Sequence, residues 1–440
     1  MNYQEALDFI HGTYKFGQKL GLDNISGLMN ILGNPQNDLK FVHIAGTNGK
    51  GSTSTMLSYI LQDCGYKTGL YISPFLEEFT ERIQINNTPI DRQDLADTAQ
   101  IVKEGIEKLV AQGNPHPTEF EVVTAIALVY YKAQKVDIVV LEVGMGGRLD
   151  ATNVIPTAEA AAIVSISFDH MFYLGNTIRE IAHEKAGIIK ENYDVSVYCL
   201  NSDEIVDEIN KTAKEMNARV YRNNADDIQL MSSTIDGQHL KYLKKDSLLG
   251  IDEFDLALLG EHQKYNVLNV LNLLEILKKR GWNITPQAIL TGLKRVKFTG
   301  RFEIMQKNPI IVIDGGHNIE GITSFVANVK KYFEGRKVTL FYGMLNDKQV
   351  DESLALLTTI AKEIYTLTPN DARAVPAEEM TAFIKEHYPA IPSHALNHFG
   401  EIGEYIDFAK TDEIYAFTGS LYMIGEARTI LSGLIAKHSK

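Results

Sequence analysis

Strand-length apolar runs alternate with helix-length patterns from one end of this sequence to the other. That rhythm confines the chain to an α/β fold with mainly parallel sheets. Phe41 to Ala45 reads as a buried strand, followed by a glycine-rich turn and a helix through Ser58 to Gly65. Thr68 to Ile72 and Arg82 to Asn86 read as further strands. Asp91 is placed to cap a helix running toward Ala111, and Glu119 to Gln134 reads as another. Asp137 to Val143 and Ala160 to Ser167 are continuous apolar strands, and Thr177 to Ile189 is a helix. Residues 195–259 are less regular, with one strand expected at Phe254 to Leu259. The pattern predicts a helix over His262 to Arg280, because Val267, Val270, Leu271, Leu274 and Leu277 share one face. The basic segment Leu293 to Arg301 lacks either signal and marks a boundary. Beyond it a fresh rhythm places strands at Ile310–Ile313, Val338–Tyr342, Glu363–Leu367 and Glu413–Phe417. A chain of 440 residues suits two such domains, expected at 1–297 and 298–440.

The net charge of -13 excludes broad nucleic-acid binding, which depends on Lys and Arg neutralising phosphates. Any anionic substrate must therefore be met by local cations or metal ions. Two cysteines, Cys64 and Cys199, cannot build a disulfide framework. The N-terminus lacks the apolar core of a signal peptide, and no apolar run approaches a membrane span. A cytoplasmic location is expected, with no membrane partner.

The strongest local signal is the turn after the first strand, Gly46-Thr47-Asn48-Gly49-Lys50-Gly51-Ser52. Glycines let successive N–H groups point at one anion, and the following helix adds its positive end. Lys50 supplies a mobile charge for terminal phosphates, and the Ser52 hydroxyl suits Mg²⁺. The spacing departs from the common phosphate-loop pattern: Ile44 replaces its first glycine, and Gly51 separates the lysine from the serine. Glu142 ends an apolar strand, where a carboxylate needs a partner or a metal; capping a loop or pairing with Arg148 is the plain structural alternative. His170, beside Asp169, also lies just past a strand, as does Ser73. Four strand ends thus deliver Lys50 with Ser52, Ser73, Glu142 and His170 to one edge of one sheet, where open α/β sheets bind ligands. Lys185, on its helix, reads from spacing alone as a solvated outer-face residue. Asp314-Gly315-Gly316-His317-Asn318 opens the second domain and could hold a nucleotide or cap the next helix; spacing does not decide.

Taken in order, AGTNGKGST, SPFLEEFTERI, TEFE, LEVGMGGRLDATN, HEKAGIIK, GEHQKYN, TGRFE, DGGHN and TGSLY resemble the folylpolyglutamate synthase and dihydrofolate synthase family, within the Mur-type ligase superfamily. The likeness runs over essentially the whole chain. It implies a large P-loop-type ATPase domain, a smaller Rossmann-like C-terminal domain and an active site between them. It implies that Gly46 to Ser52 hold ATP phosphates, with Asn266, Arg301 and Asp314 as further nucleotide contacts. Two Mg²⁺ ions would be held by Ser52, Ser73, Glu142 and His170, and by Lys185 carrying a carbamate. His317 would face the cleft as a catalytic group beside Lys50, His170 and Lys185. A monovalent cation is a further candidate ligand. Gln18, Lys19 and Leu20 resemble a loop that covers the pterin in bifunctional members. Thr118, Glu119, Phe120 and Glu121, with Leu149, Asp150 and Ala151, match other pterin-side segments. Three positions depart from the family pattern: Phe75 replaces a histidine, Thr299 a proline and Gly316 an alanine.

The resemblance implies an ATP-dependent amide ligase joining L-glutamate to reduced folates through an acyl phosphate, with dihydropteroate as a second acceptor, working as a monomer. Two alternatives stand beside it. A cell-wall amino-acid ligase of the same superfamily would carry a domain ahead of the loop, and only 45 residues precede Gly46. A nucleotide-binding regulator without ligase activity would have no use for Glu142, His170, Lys185 and Arg301 together.

Overall fold

The computed structural model describes residues 1–17, 21–346 and 349–438. Strands β1 (Phe41–Ala45), β2 (Thr68–Tyr71), β3 (Ile83–Ile85), β4 (Thr88–Pro89), β5 (Ile138–Glu142), β6 (Ala160–Ile163), β7 (Asp194–Val197) and β8 (Arg219–Arg222) form one eight-stranded sheet in the order β4-β3-β2-β5-β1-β6-β7-β8. From β2 to β8 in that order the strands run parallel, while β3 and β4 add an antiparallel edge.

Neighbouring residues of the central strands enter opposite cores. Phe41 of β1 and Val139 and Leu141 of β5 pack beneath helices Arg92–Ala111 and Glu119–Ala133. Val42 and Ile44, with Ile138 and Val140, pack beneath helices Lys50–Asp63 and Glu261–Lys279. Helices cover both faces, so the strands need no polar side and read as unbroken apolar runs.

The second domain repeats this plan. Strands β12 (Glu303–Lys307), β13 (Ile310–Asp314), β14 (Val338–Tyr342), β15 (Ala361–Thr366), β16 (Ser393–Ala395) and β17 (Ile414–Thr418) take the order β12-β13-β17-β14-β15-β16, all parallel except β12. The three remaining strands, β9 (Ile228–Thr234), β10 (Gly237–Tyr242) and β11 (Glu253–Leu256), form a small antiparallel sheet on the first domain. The chain passes between domains after helix Pro286–Arg295, through a turn in which Gly300 (φ 70) and Phe302 (φ 42) are left-handed.

Several expectations need correction. The helix after the glycine-rich turn begins at Lys50 and ends at Asp63, so Lys50, Gly51 and Ser52 form its first turn rather than a loop. The strand expected through Ser167 stops at Ile163. The region called irregular holds β7, β8, helix Asp203–Glu215 and the small sheet. Its strands are short and β9 alternates polar, exposed residues with covered ones, so no long apolar run announces it. No helix among the described residues is long and apolar enough to cross a membrane.

Candidate active site

The glycine-rich turn is shaped before any ligand arrives. Gly49 is left-handed (φ 90), and a Cβ there would lie 2.6 Å from Oδ1 of Asn266. The Thr47 amide donates to the Ser165 carbonyl at 2.7 Å, and the Ser165 hydroxyl donates to the Asn48 carbonyl at 3.0 Å. Thr47 also exchanges hydrogen bonds with the Ser167 backbone at 3.1 Å. The end of β6 therefore frames the loop. Lys50 folds back, its ammonium donating to the carbonyls of Gly46 and Thr47 at 3.1 Å each. Ser52 is buried and accepts from the Gln263 amide at 3.2 Å, while Asn266 donates to Gln263 at 3.0 Å.

Glu142 lies at the end of β5, 4% exposed, and accepts from the Ser73 amide at 3.3 Å. Burial pushes its carboxyl up to about 7, against the opposing pull of Lys50, the Ser73 amide and Arg301. Arg148 is not its partner; that guanidinium pairs with Glu184 at 2.7 Å. His170 takes a left-handed backbone (φ 49), with Nε2 3.7 Å from the Asp169 carboxylate.

Lys185 overturns the outer-face reading. It is 3% exposed and donates to the Gly46 carbonyl at 2.8 Å. The turn Met145–Arg148 drives it there: the Arg148 amide donates to the Glu184 carbonyl at 2.7 Å, and a Cβ on Gly147 would stand 2.8 Å from that carbonyl and 2.9 Å from the next. Burial, and then the charge of Lys50, lower the Lys185 ammonium to about 7.

The second domain closes the other wall. Asp314 ends β13 and accepts from the amides of Phe302 and Gly316, each at 2.8 Å. Burial raises its carboxyl, while Arg301 and both amides oppose the rise. Arg301 donates to the Gly315 carbonyl at 3.3 Å, with its guanidinium 5.6 Å from the Phe298 ring centre. The Nδ1 of His317 lies 2.9 Å from the same carbonyl. Asn318 caps helix Ile319–Tyr332, so the turn that spacing left open does cap a helix while also lining the cleft. Across the gap, Asn48 donates to Glu320 at 2.6 Å and accepts from Asn318 at 3.2 Å.

One cleft of about 610 Å³ between the domains is lined by Thr47 to Ser52, Ser73, Glu142, His170, Asn266, Arg301, Asp314 and His317. Lys185 does not line it but bonds the Gly46 carbonyl, next to the lining residue Thr47. The sequence did not single out Gln263, His262 or Glu320, which also line the cleft, whereas Asn318 belongs to the turn already noted. The first two sit in GEHQKYN, and Glu320 lies two residues past DGGHN.

The pterin-side residues form a separate group. Thr118 and Glu121 are buried and bonded to each other as the capping box of helix Glu119–Ala133. Glu119 faces His11 at 3.5 Å. Asp150 holds its own turn through the amides of Met145 and Thr152, and Ala151 is buried. The Phe120 ring closes on Gly144, where a Cβ would meet it at 2.4 Å, and Gly144 lines the cleft. Leu149 accepts from the Gly21 amide at 3.3 Å. Gln18, Lys19 and Leu20 fall outside the described residues.

Among the described residues no three His, Cys, Asp or Glu side chains cluster as a metal cage. The donor set nonetheless suits a hard cation that takes its remaining ligands from phosphates and water. Glu142 is a buried carboxylate whose bonded partner is one amide, and Ser52 and Ser73 stand beside it on the cleft wall.

Comparison with known proteins gives this geometry a class. The Mur ligase middle domain matches residues 44–274, and the glutamate ligase domain of Mur ligases matches residues 300–421. The fold and its interdomain cleft are those of a Mur-type, ATP-dependent ligase. A dihydrofolate synthase/folylpolyglutamate synthase of Bacillus subtilis is 33% identical, with 97% of this chain and 98% of that protein covered. The folylpolyglutamate synthase of Thermotoga maritima superposes with a TM-score of 0.85 at 32% identity, covering 98% of this chain and 96% of that one. The Mycobacterium tuberculosis folylpolyglutamate synthase, solved with ADP and AMPPCP, gives 0.85 at 29% identity, covering 98% and 99%. The chain belongs to the folylpolyglutamate synthase/dihydrofolate synthase family.

Proposed function

We propose that this protein joins L-glutamate to reduced folates at the expense of ATP, and that it also accepts dihydropteroate. The observation that carries the reading is the cleft itself, in which residues of both domains meet around one phosphate loop. In the reaction, ATP phosphorylates the acceptor carboxylate, and the glutamate amine then displaces phosphate from the acyl phosphate. Negative charge builds up in both steps, so electrostatic stabilisation matters more than proton transfer. Lys50 would leave the carbonyls of its own loop for phosphate oxygens. Arg301 would approach the nucleotide from the linker side, its planar fork suited to phosphate. The closed walls would keep water from the acyl phosphate.

Magnesium, held by Ser52, Ser73 and Glu142 and, at a second position, by His170 and a carbamylated Lys185, would supply charge neutralisation at the phosphates. A buried lysine whose acceptor is a carbonyl can lose its proton and react with CO₂, giving an anionic ligand. The protein would act as a cytoplasmic monomer on small-molecule substrates.

Mass spectrometry of products from ATP, glutamate and either tetrahydrofolate or dihydropteroate tests the proposal. Glutamate added to tetrahydrofolate is expected, and dihydrofolate from dihydropteroate. Tetrahydrofolate extension without dihydrofolate formation would remove the second acceptor. The Bacillus subtilis relative, whose name carries both activities, favours the dual reading.

A further inference from the structure

The C-terminal helix Leu421–His438 belongs to the second domain but rests on a loop of the first. At Gly425 the contact is so close that a Cβ would lie 2.0 Å from the Leu76 carbonyl oxygen. One turn further on, Arg428 stands between two carboxylates from different domains. Its Nη2 and Nε donate to Glu303 at 2.8 and 3.1 Å, and its Nη1 donates to Glu77. Thr429 adds a hydroxyl to the other Glu77 oxygen at 2.8 Å.

Each carboxylate leads onward to the cleft. Glu303 also accepts from the Gly300 amide at 2.9 Å, directly before Arg301. Glu77 lies in the segment whose amides at Leu76, Glu77 and Glu78 all donate to Glu81, at 2.8 to 3.0 Å. That segment starts at Ser73, whose amide holds Glu142. One guanidinium is therefore bonded both to the turn that presents Arg301 and to the loop that presents Ser73.

We propose that Arg428 is a positioning residue. It ties these two segments together, so that Arg301 and Ser73 face one another across the nucleotide at a fixed separation. The assignment rests on the reading of both groups as nucleotide-side groups. Arg428 touches no substrate; it acts through Glu303 and Glu77. Without its positive charge the two carboxylates would repel each other across the domain junction and the segments would part.

Binding of a non-hydrolysable ATP analogue with Mg²⁺ tests this without requiring ligase turnover. Arg428→Gln should weaken analogue binding about tenfold and raise the half-saturating Mg²⁺ by a similar factor, within the usual range of coupling between sites. Arg428→Lys should recover part of both. Arg428→Gln combined with Glu77→Gln removes the repulsion, so melting temperature should return toward wild type while analogue affinity stays low. A purely structural role predicts the same lowered melting temperature in Arg428→Gln but unchanged analogue and Mg²⁺ affinities well below that temperature. That result would overturn the assignment. A wild-type protein that binds the analogue but forms no amide product would instead sink the ligase reading, with the role of Arg428 still decided by the titrations.

Discussion

Lys50 and Lys185 converge on one oxygen. The Gly46 carbonyl accepts from the Lys185 ammonium at 2.8 Å and from the Lys50 ammonium at 3.1 Å. Burial, and then the charge of Lys50 on the same acceptor, hold Lys185 at about 7. Below about pH 7 Lys185 is protonated in both folded and unfolded chains, and the fold carries the whole cost of a buried cation. As pH rises from about 7 toward 10.5 the folded chain releases the proton first, so stability gains from this residue. The melting-temperature advantage of Lys185→Met over wild type should therefore shrink on going from about pH 6 to pH 9. Ligase activity of Lys185→Ala should fall at least about 100-fold, with partial rescue by acetate. Full activity in Lys185→Ala would rule out a carbamate ligand.

Glu320 sets a carboxylate against the glycine-rich turn, the proposed phosphate site, through its 2.6 Å bond with Asn48. A triphosphate entering the loop meets that like charge. Replacing it by Glu320→Gln removes a repulsion of about 1 kcal/mol, so calorimetric titration should show nucleotide binding about fivefold tighter. Weaker binding would mean that the carboxylate contacts the nucleotide favourably.

Gly147 is required by space. Its Cβ position is closed by the carbonyls of Glu184 and Lys185, at 2.8 and 2.9 Å. Gly147→Ala must push the Lys185 helix away, costing about 1–3 kcal/mol in urea unfolding. Activity should fall further than Gly147→Ala destabilises, because the helix carries Lys185. Unchanged stability and activity would show that the turn yields freely.

Arg301 rests against the Gly315 carbonyl and the Phe298 ring, and no salt bridge holds it among the described residues. Arg301→Ala should cost no more than about 1 kcal/mol of stability while weakening ATP binding about tenfold or more. A lowered melting temperature with normal turnover at low temperature would assign it to the domain junction alone.

Much of the first-domain site was legible because chemistry sits where strands stop. Ser73 follows β2 and Glu142 ends β5, and both strands are visible as apolar runs. Lys185 was misread from spacing because its helix, IREIAHEKA, is polar enough to pass for a surface element. Its burial comes from a turn more than thirty residues away packing on the helix backbone. The bonds from Asn48 to Glu320 and from Arg428 to Glu77 join segments 272 and 351 positions apart, and no local pattern encodes them. Thr118 and Glu121 show the opposite case. Their T-x-x-E spacing is a capping-box signature, and the structure uses it as one.

The bonds that Lys50, Thr47 and Asn48 make within and around the glycine-rich turn have a consequence for selectivity. A loop already folded on its own carbonyls and on the end of β6 exchanges partners when phosphates arrive, with little chain left to order. On the proposed reading it would act as a preformed gauge of phosphate spacing, common to every nucleoside triphosphate. Discrimination between bases must then fall to side chains at the far end of the cleft, and evolution can retune that end without touching the chemistry.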